Sequence, residues 1–173
     1  MKRWKIHGLA LALSLLAAQA HAGSDLGKAA HDYALVTLDN QKVTSDQLKG
    51  KVVVLNYWAT WCTPCKADMV VFENYMRTHP GTDLKIYAVM TESEVPFSKL
   101  KPLQGALSFP IARRLSGRGY GVKTGVPTSY VIDRAGVLRY ADSGAFDDQS
   151  FRELIDPLLK APPAAPPVTV AAK

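Results

Sequence analysis

Cysteine is nearly absent: the 173 residues contain two, Cys62 and Cys65. That scarcity excludes a cysteine-rich disulfide scaffold, and two cysteines supply only half of a four-ligand zinc site. Long apolar runs are also missing. After the first 22 residues nothing approaches the roughly 20 apolar residues needed to span a bilayer. A strong charge of one sign is missing too. The formal net charge of +6 includes Lys2, Arg3 and Lys5, which lie in a leader that has no acids. Removing those three from the 21 bases leaves 18 against 15 acids. So mild an excess does not point to nucleic acid as a partner.

What is present fits one ordinary globular domain, with 47% hydrophobic and 21% charged residues. It is preceded by an export signal. MKRWKIH is basic, GLALALSLLAA is a short apolar stretch, and Ala20-His21-Ala22 has the small-x-small form of a cleavage site. The expectation is a signal peptide over residues 1–22, cleaved after Ala22, and a periplasmic protein. If the leader were kept as an anchor, the domain would face outward as well. Residues 23–30 read as a flexible segment and 31–160 as the domain. The Pro/Ala-rich stretch APPAAPPVTVAAK, from Ala161, reads as a disordered tail.

Within the domain, Tyr33, Leu35 and Leu38 alternate in strand fashion and Val43 reopens a short extended piece. Thr44 or Ser45 can cap a short helical turn that ends before Gly50. KVVVLNYWA is a continuous apolar run, the pattern of a strand buried on both faces. A helix is expected from Cys62 or Thr63 to near His79, with Met69, Phe72 and Met76 on its apolar side. DLKIYAVMT reads as a second buried strand. A helix around Phe97 to Leu103 is expected to be interrupted by Pro102. SFPIARR is short and extended, and SGRGYGVKTG is a loop. Its Gly117-x-Gly-x-Gly121 has the wrong spacing and context for a phosphate loop. Ser129–Asp133 and Val137–Ala141 form a hairpin about Arg134-Ala135-Gly136. A last helix, capped by Asp147 or Asp148, carries Phe151, Leu154, Ile155, Leu158 and Leu159, and Pro157 should bend or shorten it. Strand–helix–strand followed by a hairpin predicts an α/β fold, a mixed sheet with helices on both faces.

The spacing of Cys62-Thr63-Pro64-Cys65 points to a working dithiol. A bond across two residues closes a loop too small to restrict the unfolded chain much, so a purely structural role is poor. At a helix N-terminus, unpaired amides favour a thiolate and can lower its pKa from about 8.5 to as little as roughly 3.5. Cys62 is expected at the cap, facing solvent, and Cys65 one turn further and deeper. Cys62 would attack a partner disulfide, and Cys65 would resolve the mixed disulfide. Pro64 suits the first turn. Two other readings stay open: zinc completed by His31 and His79, and a copper carrier using soft sulfur ligands. No residue set calls for a resident metal or cofactor.

WCTPCK after KVVVLNYWAT, with ALVTLDNQKVTSDQLKG before it and YGVKTGVPTSYVIDRAGVL after, resembles the exported TlpA/ResA/DsbE-like thiol–disulfide oxidoreductases of the thioredoxin fold. The resemblance covers residues 31 to 160. It implies a mixed central sheet flanked by helices, an N-terminal β extension and a central insertion. It also implies a cis proline at Pro127, with the Val126 backbone beside Cys62, pairing with an extended substrate and excluding metal. Trp61, Thr63 and Pro64 would offer substrate contact, and Trp58 would be core. Asp68 stands where the family usually has Glu, thought to assist proton movement at Cys65; its alternative is a first-turn acid on a solvated helix face. Asn56 reads as structural, and Val70 replaces a helix-kinking proline. The implied activity is a monomeric protein-disulfide reductase for exported proteins, apocytochrome c among them, recharged by a membrane thiol transporter of the DsbD or CcdA kind. The alternatives are a general oxidant or isomerase, and a copper carrier for metal-site assembly.

Overall fold

The computed structural model describes residues 25–162. The leader, its cleavage point and residues 163–173 of the tail lie outside the described residues. The elements run β1 (Tyr33–Thr37), β2 (Lys42–Thr44), a 3-10 turn (Ser45–Leu48), β3 (Val52–Trp58), α1 (Thr63–Thr78), β4 (Leu84–Met90), α2 (Phe97–Ala106), β5 (Ile111–Gly117), β6 (Thr128–Ile132), β7 (Leu138–Ser143) and α3 (Asp148–Lys160). The seven strands form one sheet in the order β2-β1-β5-β4-β3-β6-β7.

β3 lies inside the sheet between β4 and β6, and every one of its residues is buried. It runs parallel to β4, with Val52 beside Leu84 and Trp58 beside Met90. On its other side it runs antiparallel to β6, with Val53 opposite Ile132 and Tyr57 opposite Thr128. Burial on both faces is why its sequence is apolar without alternation. The β6–β7 turn forms where expected: Gly136 takes φ +76, and Asp133 Oδ1 accepts the N–H groups of Ala135 and Val137. β1 and β2 make the N-terminal extension, and α2 with β5 makes the insertion between β4 and β6.

The helices are not split between the two faces. Phe72 and Tyr75 of α1, Leu100 of α2, and Phe151 and Ile155 of α3 all join one core with Val52, Val54 and Ile86. The connectivity explains it. β3-α1-β4-α2-β5 steps across the sheet in one direction, so two right-handed crossovers place both helices on the same side. The opposite face buries Leu35, Leu55, Val89 and a group of tyrosines, and among the described residues only Leu48 of the 3-10 turn is a helical contribution. The glycine-rich segment helps to cover it. Tyr120 donates to His31 O (2.7 Å) and Tyr130 donates to Gly121 O (2.7 Å). Their rings stand edge-on, 5.3 Å apart. Gly119 is needed there: it takes φ +85, and a Cβ would sit 2.9 Å from the His31 ring.

Three further expectations are corrected. β5 runs through Gly117, because its outer residues pair with β1. Pro102 and Pro157 do not interrupt α2 and α3, which continue to Ala106 and Lys160. Beyond Pro157, Leu158 and Leu159 still pack on the core, which offsets the lost backbone bond. Within the segment expected to be loose, Gly27 N donates to Leu138 O (2.8 Å) and Ala30 N to Gly136 O (2.8 Å), tying it to the β6–β7 hairpin. Among the described residues no helix is long and apolar enough to cross a membrane.

Candidate active site

The site lies at the carboxyl end of β3, where the chain moves to β4 on one side while β6 pairs on the other. Such switch points leave a crevice in an α/β sheet. Cys62 is the N-cap of α1, with extended backbone angles (φ −82, ψ 102). Its Sγ accepts the Cys65 N–H at 3.2 Å. Pro64, in the first turn, has no N–H to offer, so the amide field at the sulfur is narrowed to fewer donors. The two cysteines are joined as a disulfide, with Cα atoms 5.3 Å apart.

Cys65 is fully buried, as expected. Cys62 is not solvent-facing: it is 3% exposed, with its Sγ 3.6 Å from Val126 O. The Val126–Pro127 bond is cis, and Pro127 immediately precedes β6. The backbone of Val126 therefore stands beside the Cys62 sulfur. Trp61 is 70% exposed, and Thr63 and Pro64 are exposed beside it, so the three form an open rim. Trp58 is buried in the core.

Asp68 is fully buried and not on a solvated face. It follows Cys65 by three residues on α1, a spacing that puts two side chains on the same side of a helix. Asp68 Oδ1 accepts the Phe146 N–H (2.7 Å), and Oδ2 accepts from Asn56 Nδ2 (3.1 Å). Burial pushes its pKa up to about 6, and these two hydrogen bonds only partly oppose the shift. Asn56 is more than packing. Its Nδ2 also donates to Ser129 Oγ (2.9 Å), and its Oδ1, fully buried, has no partner among the described residues.

Two groups went unselected in the sequence, Ser129 and the Phe146 amide. Ser129 sits two residues after Pro127 and faces Asn56 in the antiparallel register. Phe146 immediately precedes Asp147, which caps α3. The cap signal was legible, but nothing local tied it to a residue 78 positions away. Among the described residues no three His, Cys, Asp or Glu side chains are grouped to hold a metal ion.

Residues 26–141 match a family model described as the AhpC/TSA family. The chain belongs to the AhpC/TSA family. It is 32% identical over 115 residues to the thiol–disulfide oxidoreductase ResA of Bacillus thuringiensis (strain Al Hakam), covering 64% of this chain and 65% of that one. The chain thus spans about two thirds of the length of that ResA. It is 31% identical over 140 residues to the thiol:disulfide interchange protein DsbE of Escherichia coli (strain K12), covering 77% of this chain and 73% of that one. A solved thiol:disulfide interchange protein of the thioredoxin family, from Chlorobium tepidum TLS, has a TM-score of 0.64 at 24% identity. It covers 76% of this chain and 95% of that one, and it fixes the thioredoxin fold. This AhpC/TSA family member is a thiol–disulfide oxidoreductase of the ResA and DsbE type, with Cys62 and Cys65 as its CxxC pair.

Proposed function

We propose that this oxidoreductase is exported and runs as a reductase of disulfides in other exported proteins. The observation that carries the reductive direction is the burial of the dithiol, Cys65 fully covered and Cys62 3% exposed, which favours the neutral disulfide. The exchange itself starts at the Cys62 sulfur at the first turn of α1, which accepts the Cys65 amide with the Val126 carbonyl across from it. In the reduced protein that amide favours a thiolate at Cys62. The thiolate attacks one sulfur of a substrate disulfide. That S–S bond breaks, a Cys62–substrate bond forms, and the first substrate thiolate leaves. Cys65 then attacks Cys62 Sγ, restores the Cys62–Cys65 disulfide and expels the second thiolate. Two electrons pass to the substrate, and its two sulfurs end as thiols. Asp68, one turn from Cys65 and poised near neutrality, takes the proton that Cys65 must lose. Pro127 seats Val126, whose backbone pairs with the extended substrate; Trp61, Thr63 and Pro64 give it an apolar rim.

The leader at residues 1–22 supports a periplasmic site of action, and the Pro/Ala tail from Ala161 supports a domain that ends there. A reductase outside the cytoplasm needs a source of electrons, which favours a membrane thiol transporter as donor. Apocytochrome c, with paired cysteines to be kept reduced, is the first substrate to test. The trap is Cys65→Ser, which leaves the attacking sulfur and removes the resolving one. It should accumulate mixed disulfides through Cys62, identifiable by mass spectrometry, while Cys62→Ser forms none. Equal trapping in both variants, or insulin reduction that survives Cys62→Ser, overturns the reading.

A further inference from the structure

Between the end of β3 and α1 the chain turns from strand to helix within Ala59-Thr60-Trp61-Cys62, and this turn carries the attacking sulfur. Its exposed member, Trp61, contributes little packing of its own. The turn is gripped from the side by the two residues that follow β4. Thr91 donates to Trp58 O twice, through N–H and Oγ1, each at 3.0 Å. Thr60 gives both its N–H and its hydroxyl to the carboxylate of Glu92, one to each oxygen, the hydroxyl at 2.9 Å. The parallel register makes this possible. Trp58 stands beside Met90, so each strand's next residues run on together. Cys62 N then closes the turn onto Ala59 O (3.1 Å).

We propose that Glu92 is a positioning residue for Cys62. One carboxylate that holds the amide and hydroxyl of the same residue fixes both the backbone and the side chain of Thr60. That hold delivers Cys62 two residues later to a point where the Cys65 amide and the Val126 carbonyl both face its sulfur. Glu92 touches no reacting atom and acts through Thr60. The inference rests on Cys62 being the attacking sulfur.

Chemistry separates this role from that of a nearby negative charge. A glutamine has the same reach. Its Oε1 accepts the Thr60 N–H and its Nε2 donates to the Thr60 hydroxyl, so Glu92→Gln keeps the grip without the charge. Glu92→Ala loses both. The readouts are kcat and KM for insulin reduction by the full protein, and the rate at which iodoacetamide alkylates Cys62 in the reduced protein at one fixed pH. Glu92→Ala should lower kcat about tenfold with KM little changed and slow alkylation in step, as misplacement of a reacting group does. Glu92→Gln should recover to within about twofold of the parent, since its hydrogen bonds are retained. If Glu92→Ala does not fold, Thr60→Val against Thr60→Ser carries the same test: serine keeps the hydroxyl and its rate, valine does not.

Parent-like kcat in Glu92→Ala, or in Thr60→Val, overturns the proposal. So does Glu92→Gln as impaired as Glu92→Ala, which would assign the effect to charge. Failure of the dithiol reading itself looks different, since insulin reduction would then survive Cys62→Ser whatever happens at position 92.

Discussion

Asp68 joins two properties that one substitution should pull apart. Below pH 3.8 the carboxyl is protonated in folded and unfolded chains alike, and it has no effect on stability. Between 3.8 and about 6 only the unfolded chain releases its proton, so stability falls as pH rises. Above that window the cost is constant. About two pKa units correspond to roughly 3 kcal/mol. Asp68→Asn removes the charge and keeps the shape. Its Oδ1 can still accept the Phe146 N–H, and the unpartnered Asn56 Oδ1 can swing round to accept its Nδ2. Denaturant unfolding at pH 4 and pH 8 should show the variant gaining roughly 2–3 kcal/mol on the parent at the higher pH and little at the lower. Resolution of the mixed disulfide should move the other way. With no base to take the Cys65 proton, the second step should slow by about a hundredfold, the usual scale for a positioned acid or base. In the parent that step should lose rate as pH falls through about 6, where Asp68 becomes protonated. A mixed disulfide that resolves equally fast in Asp68→Asn would remove the residue from the chemistry.

At the scale of elements, α3 shows where local rules yield to packing. Pro157 lacks the N–H that would bond to Glu153 O, yet the helix runs on to Lys160. Two contacts to α1 hold it just before the proline. Phe151 packs on Phe72 with ring centroids 4.7 Å apart, and Asp156 accepts the Tyr75 hydroxyl at 2.7 Å. Because the ring costs helix energy that packing offsets, Pro157→Ala should stabilise the domain by about 1–2 kcal/mol, with insulin reduction unchanged. A lower melting temperature would mean that the proline's restriction of the unfolded chain outweighs that cost. The same tension between local pattern and tertiary context set what the sequence made legible. KVVVLNYWA and the spacing of Met69, Phe72 and Met76 fixed β3 and α1 because apolar periodicity is local. Ile111–Gly117 was only half seen. The extended reading stopped at Arg114; Ser116 and Gly117 carry no strand signal, and their pairing partner is β1, some 80 residues away. The dithiol was visible from two cysteines and a following helix. Pro127 required the family resemblance. Asp68 was undecided between a proton-moving acid at Cys65 and a first-turn acid on a solvated helix face, because its burial is imposed by Asn56 and Phe146 from other elements.

At the scale of the whole molecule, the direction of electron flow is a matter of stability. Folded and unfolded chains can each hold the dithiol or the disulfide, and the four states close a cycle. If the fold favours the disulfide more than the unfolded chain does, the oxidised protein is the more stable and the dithiol is the better reductant. Each 1.4 kcal/mol of that preference lowers the potential by about 30 mV. Two features compete here. The Cys65 amide at Cys62 Sγ favours the thiolate, and hence the reduced form. Burial opposes it: Cys65 is fully covered, Cys62 is 3% exposed, and both belong to the apolar core with Trp58, Met69 and Phe72. A neutral disulfide suits those surroundings better than an ionised sulfur. Pro64 tips the balance the same way, because it withholds one first-turn amide that would have favoured the thiolate. Burial should win, and the oxidised protein should melt about 3–6 °C above the reduced one, corresponding to about 1–2 kcal/mol for a domain of this size. Scanning calorimetry with and without excess reductant measures the difference. If the reduced form melts higher, the cycle reverses sign, and the same fold would serve as a donor of disulfides instead of a sink for them.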